Sequence, residues 1–313
     1  MTLTRRELGK LMLAVPAASL LPRDLLAQGR AKPDSKWAGV QVGLNVPYNF
    51  GTRTLPVDEV IGKTVDLGVS AVELRSQPIE LFMGASREVL EAGRDKATRA
   101  AAAETLRAWR LKADPKGAAA VKKQFDAAGV KVEVVKFDDI YNFSDPEMDY
   151  AFALAKAAGA RAISCELEVA GAKRLGQFAD KHQMPVGYHG HTKTPEAMFD
   201  QAFSFAKYNW ANIDIGHWVA GGLGNPVDII RKYHDRITHI HVKDRKAPSN
   251  GQDGANVPFG QGDTPIKEVL RLIRDNKYPI QATIEFEYPV PQGSDRMAEM
   301  RKALDYCKAA LLG

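Results

Sequence analysis

Cysteine is scarce in this sequence, with only Cys165 and Cys307 among 313 residues, each flanked by apolar neighbours. That excludes a disulfide framework, and both read as buried thiols. Long apolar runs are missing too. The longest, near the N-terminus, is roughly a dozen residues, against the ~20 a helix needs to cross a bilayer. Charge of one sign is in short supply. The formal net charge is +5, and residues 1–27 hold +2 of it through Arg5, Arg6, Lys10 and Arg23 against Glu7 and Asp24. The body is left at about +3, too little for the clustered basic face that nucleic acid requires. There is no short-period repeat and no low-complexity linker. What remains is 45% hydrophobic and 26% charged, enough to bury a large core.

The first thirty residues are set aside from the fold. "TRRELGKLMLAVPAASLLP", from Thr4, places twin arginines before an apolar stretch. This resembles a twin-arginine (Tat) export signal, with cleavage after Ala27, and it implies a periplasmic or exported protein that leaves the cytoplasm already folded. Residues 1–30 are expected to be signal and disordered leader, and residues 31–313 one catalytic domain with no membrane span.

The body alternates strand-like and helix-period stretches. Strands are predicted at 39–45, 70–75, 131–137, 161–168, 185–191, 210–217, 237–243 and 281–287. Helices are predicted at 57–67, 116–128, 147–158, 226–235 and 266–275, several ending in Gly. Eight strands separated by helices predict an α/β fold, a single-domain (β/α)8 TIM barrel. A doubly wound open sheet is the alternative, but "GLNVPYNFG" after the first strand makes a poor phosphate turn. The Ala/Arg-rich stretch 86–111 predicts extra helix between strands two and three, with its mixed charges on a solvated face.

Strands covered on both sides should be apolar. Five successive strand ends break this rule, with Glu166 and Glu168, His189 and His191, Asp214 and His217, His239 and His241, then Glu285 and Glu287. Spacing by two puts both members of four of these pairs on one face. So many ionisable groups in one mouth are costly unless something compensates them. A divalent cation accepts carboxylate and imidazole together. The absence of thiolate favours Mn, Mg, Co, Fe(II) or Zn in an open site. Lys136 is expected to face the same mouth, Lys243 and Asp244 are open to reading as a rim ion pair, and "FGQGDTP" at 259–265 as a loop entering a helix.

"VGYHGH", "NIDIGHW", "HIHVKD", "PFGQGD" and "ATIEFE", in this order, resemble the xylose isomerase-like (β/α)8 barrels over residues 36–310. That group spans ketose 3-epimerases, inosose dehydratases and, more distantly, endonuclease IV. The resemblance implies one divalent metal held by Asp214, His241 and Glu285. The first position departs from the epimerase pattern, with His189 where a Glu is usual. "YHGH" is similar to the YHxH branch, and Glu166 or Glu168 is left to supply the missing carboxylate. The implied roles are Glu285 and Glu166 as acid/base, with His217 beside them. His191, Lys243 and Glu168 would bind substrate, Trp218 and Phe259 would wall a sugar ring, and His239 would lie one layer deeper. The expected partner is a small carbohydrate, with a homo-oligomer left open. The expected reaction is isomerisation or epimerisation of a sugar or keto-sugar by proton abstraction beside a metal-bound carbonyl. The alternative is dehydratase-type elimination, and a third reading is a sugar-binding protein without catalysis.

Overall fold

In the computed structural model, eight parallel strands close on themselves. The structure describes residues 32–92 and 96–313, so the expected export signal lies outside the described residues. The strands are β1 (Val40–Val46), β2 (Ala71–Arg75), β3 (Lys131–Lys136), β4 (Ala162–Glu166), β5 (Val186–His189), β6 (Asn209–Asp214), β7 (Ile237–Val242) and β8 (Gln281–Ile284). Sequential neighbours pair throughout, and Ala282 against Val42 joins β8 to β1. This is the predicted (β/α)8 barrel.

Helices surround it: α1 (Val57–Asp66), α2 (Ser76–Phe82), α3 (Arg87–Leu90), α4 (Lys96–Arg110), α5 (Ala118–Ala127) and α6 (Asp145–Ala157). The second half adds α7 (Val169–His182), α8 (Glu196–Phe205), α9 (Ile215–Ala220), α10 (Pro226–Tyr233), α11 (Ile266–Asp275) and α12 (Arg296–Leu312). The reason is visible in α11, where Ile266, Val269, Leu270 and Ile273 are all buried and recur at one helix face. Gly129 and Gly159 follow α5 and α6 at φ 77° and 86°, the left-handed stop expected there. Cys165 and Cys307 are buried free thiols.

The extra helices between β2 and β3 are present, but not all their charges are solvated. Arg110 of α4 is buried, its Nε 2.7 Å from the fully buried Glu80 of α2. The guanidinium also lies over the Phe143 ring at 4.2 Å. Here the chain must turn inward to cover the barrel, and Arg110 goes with it.

Several predicted strands run past their real ends. Asp214 stops β6 because its carboxylate accepts the His217 N–H (2.8 Å) and caps α9. β5 stops at His189, and the Thr194 hydroxyl accepts the His191 N–H (2.9 Å) in the turn beyond. β8 stops at Ile284, and the Phe286 N–H turns to the Asn49 side chain (3.0 Å). The consequence is that His191, His217 and Glu287 sit on the loop side of the mouth. Past β7, Asp244 accepts backbone N–H groups from Gly260 and Gly262 (both 2.8 Å) and Thr264 (3.3 Å). A Cβ on Gly262 would lie 2.0 Å from the Asp244 carboxylate, so only glycine fits. "FGQGDTP" is thus a loop drawn onto a strand end by a carboxylate, and Asp244 is its anchor rather than a partner of Lys243.

Candidate active site

Inside the barrel, adjacent strands place polar side chains at matched registers: Asp214 beside His241, Glu166 beside His189, and Asn45 beside Glu73. At the centre is Lys243, only 2% exposed. Its Nζ lies 2.6 Å from both Glu285 Oε2 and Glu287 Oε2, and 3.0 Å from Asp214 Oδ2. Its side chain packs on α9, where a Cβ on Gly216 would meet Lys243 Cγ at 2.4 Å. Burial acts to lower the Lys243 pKa, but the three carboxylates outweigh it and raise it. In the same way Lys243 and His241 hold Glu285 well below the ordinary carboxylate range against the effect of burial. Asp214 moves the other way, burial raising it despite Lys243.

Beneath this, Glu73 of β2 reaches across the barrel to β7. Its Oε2 is 2.5 Å from His241 Nε2 and its Oε1 is 3.3 Å from His239 Nε2, with all three side chains fully buried. Burial opposes charge on His241, yet Glu285 and Glu73 push its pKa up to about 10. His239 is lowered by burial and takes a contact from the Thr238 hydroxyl at Nδ1 (2.8 Å). With Glu73 engaging Nε2, His241 Nδ1 faces Glu285 Oε2 at 3.4 Å and Asp214 Oδ2 at 3.9 Å.

Three buried atoms at this level have no hydrogen-bond partner: His189 Nδ1, Asp214 Oδ2 and His241 Nδ1. His189, Asp214, His217 and Glu285 each bring one ligand atom within 4.8 Å of the others. A divalent ion with bonds of about 2.0–2.2 Å bridges donors roughly that far apart. The residues therefore fit a cation among Asp214, Glu285, His189 and His217, with His241 Nδ1, 3.4 Å from Glu285 Oε2 and 3.9 Å from Asp214 Oδ2, bordering the same space. Carboxylate plus imidazole is the donor set of an open catalytic site.

His217 and the rim complete the picture. Burial, then Lys243, lowers His217 to about 3, so the ring is neutral. Arg245, itself anchored on the Gly254 carbonyl, donates to His217 Nδ1. A guanidinium cannot accept, so the ring proton belongs on Nε2. That nitrogen sits 3.1 Å from Lys243 Nζ, a contact between two donors and the least favourable in the cluster. At the rim, Glu166 bonds Lys136 Nζ (2.9 Å) and His191 Nε2 (2.6 Å). Burial would raise Glu166, but the His191 bond and the Lys136 charge outweigh it and lower it to about 2. Burial, Lys136 and His241 hold His189 well below the usual histidine range.

A family model described as a xylose isomerase-like TIM barrel matches residues 162–310. That match covers a little under half of the chain, and the fold it resembles is the (β/α)8 barrel seen here. The chain is 29% identical over 136 residues to an inosose dehydratase of Clostridium botulinum, a match spanning 37% of this chain and 45% of that protein. The chain thus spans about half the length of the curated relatives it matches. Two solved structures share the fold. A probable 3-DHS dehydratase from Bacillus anthracis superposes with TM-score 0.58 at 13% identity, covering 87% of this chain and 98% of that one. A D-psicose 3-epimerase gives TM-score 0.57 at 12% identity, covering 88% and 100%. Among the described residues, no helix is long and apolar enough to cross a membrane.

The barrel brings together most of the residues the sequence singles out. Asp214, His189, His217, His241, Lys243 and Glu285 share one cluster, and His191 stands over it, its ring 4.6 Å from that of His217. Glu166 is not among the grouped ligand atoms; it bonds Lys136 and His191 at the rim instead. Glu168 is exposed as the first cap of α7 and lies outside the cluster. Trp218 is buried in the hydrophobic core, and Phe259 packs edge-to-face on Tyr306, so neither presents a free wall. Sequence reasoning passed over Glu73, Glu287's bond to Lys243, and Arg245. The signal for Glu73 was there: a carboxylate inside "AVELR", a strand buried on both faces.

Proposed function

We propose that this chain is a divalent-metal-dependent carbon–oxygen lyase that removes water from a keto-sugar or keto-cyclitol. The observation that carries the reading is the state of Glu166. Epimerisation needs two proton acceptors, one on each face of the reacting carbon. Glu166, the carboxylate available as the second one, is held between Lys136 and His191 at about 2 and is a poor base. It serves better as the anchor of His191. With Nε2–H donated to Glu166, the other ring nitrogen of His191 is the acceptor.

A cation held among Asp214, His189 and Glu285 would supply Lewis-acid polarisation of the substrate carbonyl. His191 takes the proton from the carbon beside that carbonyl. Neutral His217 donates Nε2–H to a substrate oxygen. Lys243, kept cationic by its carboxylates, stabilises the departing hydroxyl, which takes up the proton removed by His191, so that the C–O bond breaks, a C=C bond forms and water leaves. The match to inosose dehydratases supports the same class. Export through the twin-arginine segment belongs to this proposal, and N-terminal sequencing of the secreted protein checks it.

Isomerisation begins with the same proton abstraction, so one experiment separates the two. Metal-loaded protein is incubated with an inosose and with a 3-keto-hexose in deuterated water. An unsaturated product lighter by one water supports elimination. Deuterium gained beside the carbonyl in an isomeric keto-sugar, with no water lost, replaces it with isomerisation.

A further inference from the structure

Beside the Lys243 cluster, a cavity of about 480 Å³ opens between the β1 and β8 loops, lined by Tyr48, Arg53, Phe286, Glu287, Tyr288 and Arg296 among others. Glu287 and Tyr48 make it continuous with the cluster. The Tyr48 hydroxyl donates to Glu287 Oε1 (2.9 Å), and Glu287 Oε2 accepts from Lys243 (2.6 Å). A group held over the cluster and a group held in this cavity would therefore have Glu287 as a common neighbour.

The charge of the cavity is net positive. Its carboxylate, Glu287, shares Lys243 with Asp214 and Glu285. Against it stand two guanidiniums. Arg296 lies over the Phe286 ring at 4.7 Å and donates to the Asn49 carbonyl (3.2 Å), with no carboxylate partner among the described residues. Arg53 is 61% exposed and only 3.6 Å from Asp138, whose nearer partners are Arg75 (2.6 Å) and Gln77 (2.9 Å). Cationic groups converging on a cleft with aromatic walls focus a positive potential on whatever enters. Planar guanidiniums match a carboxylate with paired N–H donors.

We infer that this cavity is a second subsite, and that it takes a sugar ring bearing a carboxylate, joined to the ring that reacts over Lys243. The inference rests on the carbohydrate reading of the mouth. It makes the natural substrate larger than a monosaccharide and acidic at its far end.

Equilibrium binding by the metal-loaded full chain tests this with three probes: glucose, cellobiose, and the disaccharide in which the ring placed in this cavity is glucuronic acid. The acidic disaccharide should bind at least about tenfold tighter than cellobiose, a preference that falls with salt. Arg53→Met, at an exposed position, should remove part of the preference. Arg53→Met/Arg296→Gln should remove most of it, with metal content unchanged and glucose binding retained as the check on folding. Equal binding of the two disaccharides, or a preference that survives in the double variant, overturns the subsite and leaves the carbohydrate reading standing. Failure of all three sugars to bind overturns both.

Discussion

Replacing Lys243 with Met tests how the cluster is balanced. In the metal-free protein Lys243 is the shared counter-ion of Asp214, Glu285 and Glu287 at 2.6–3.0 Å, in a place where it is 2% exposed. Met keeps much of the packing on Gly216 and removes the charge. Breaking a buried pair from one side costs about 3–5 kcal/mol, because the partner is left uncompensated. In a chain of this size each kcal/mol shifts Tm by roughly 2–4 °C, so metal-free Lys243→Met should melt roughly 6–20 °C lower. The loss should shrink at acid pH, where the released carboxylates protonate instead. A divalent cation should then reverse the effect. At 100 times its Kd it returns about 2.7 kcal/mol to the folded state. In the wild type the ion competes with the ammonium for Asp214 and Glu285, so the response there should be smaller. The assay is differential scanning calorimetry with and without Mn, beside isothermal titration of the metal. A metal-free Tm within about 2 °C of wild type, or weaker metal binding by the variant, would refute the view of Lys243 as a resident counter-ion.

Other expectations follow from the same geometry. Glu73→Gln should weaken metal binding about 10- to 100-fold in titration, because the carboxylate that orients His241 through Nε2 is lost, while the imidazole itself remains. Glu166 is lowered from 4.5 to about 2, so the stability it adds is present above about 4.5 and disappears as pH falls towards 2. Its side chain is 46% exposed, so Glu166→Gln should cost only about 1 kcal/mol at neutral pH in denaturant unfolding, a gap that closes across that window. Arg110→Met should destabilise by about 3–5 kcal/mol without changing metal content, because it strands the fully buried Glu80.

The barrel was legible because its evidence is local. Each strand is a short apolar run and each helix has its own period, as in α11. The histidines and carboxylates of the last four strands were legible for a related reason, since period-two spacing shows which residues share a face. Partnership was not legible, because register and reach decide it. Spacing put Glu166 and Glu168 together, but a helix begins beyond Glu168, and Lys136 on the next strand claims Glu166. Spacing likewise says nothing of Glu73, whose partners His239 and His241 lie more than 160 residues away, on the far side of the barrel. The occupancy of the centre by Lys243 depends on a long side chain passing over a glycine, which only three dimensions reveal.

Asp244 and the loop it anchors bear on what the barrel can recognise. Backbone amides converging on one point form a ready seat for a phosphate, and loops after the seventh and eighth strands are where such barrels commonly place it. Here the chain supplies its own tenant. The Gly260, Gly262 and Thr264 amides are all spent on the Asp244 carboxylate, and the glycine that would admit a phosphate oxygen admits Asp244 instead. A phosphorylated sugar would find this seat taken and like charge in it. The loop at 259–265 is thereby closed to phosphate, because its converging amides are already bonded to a carboxylate of the chain itself.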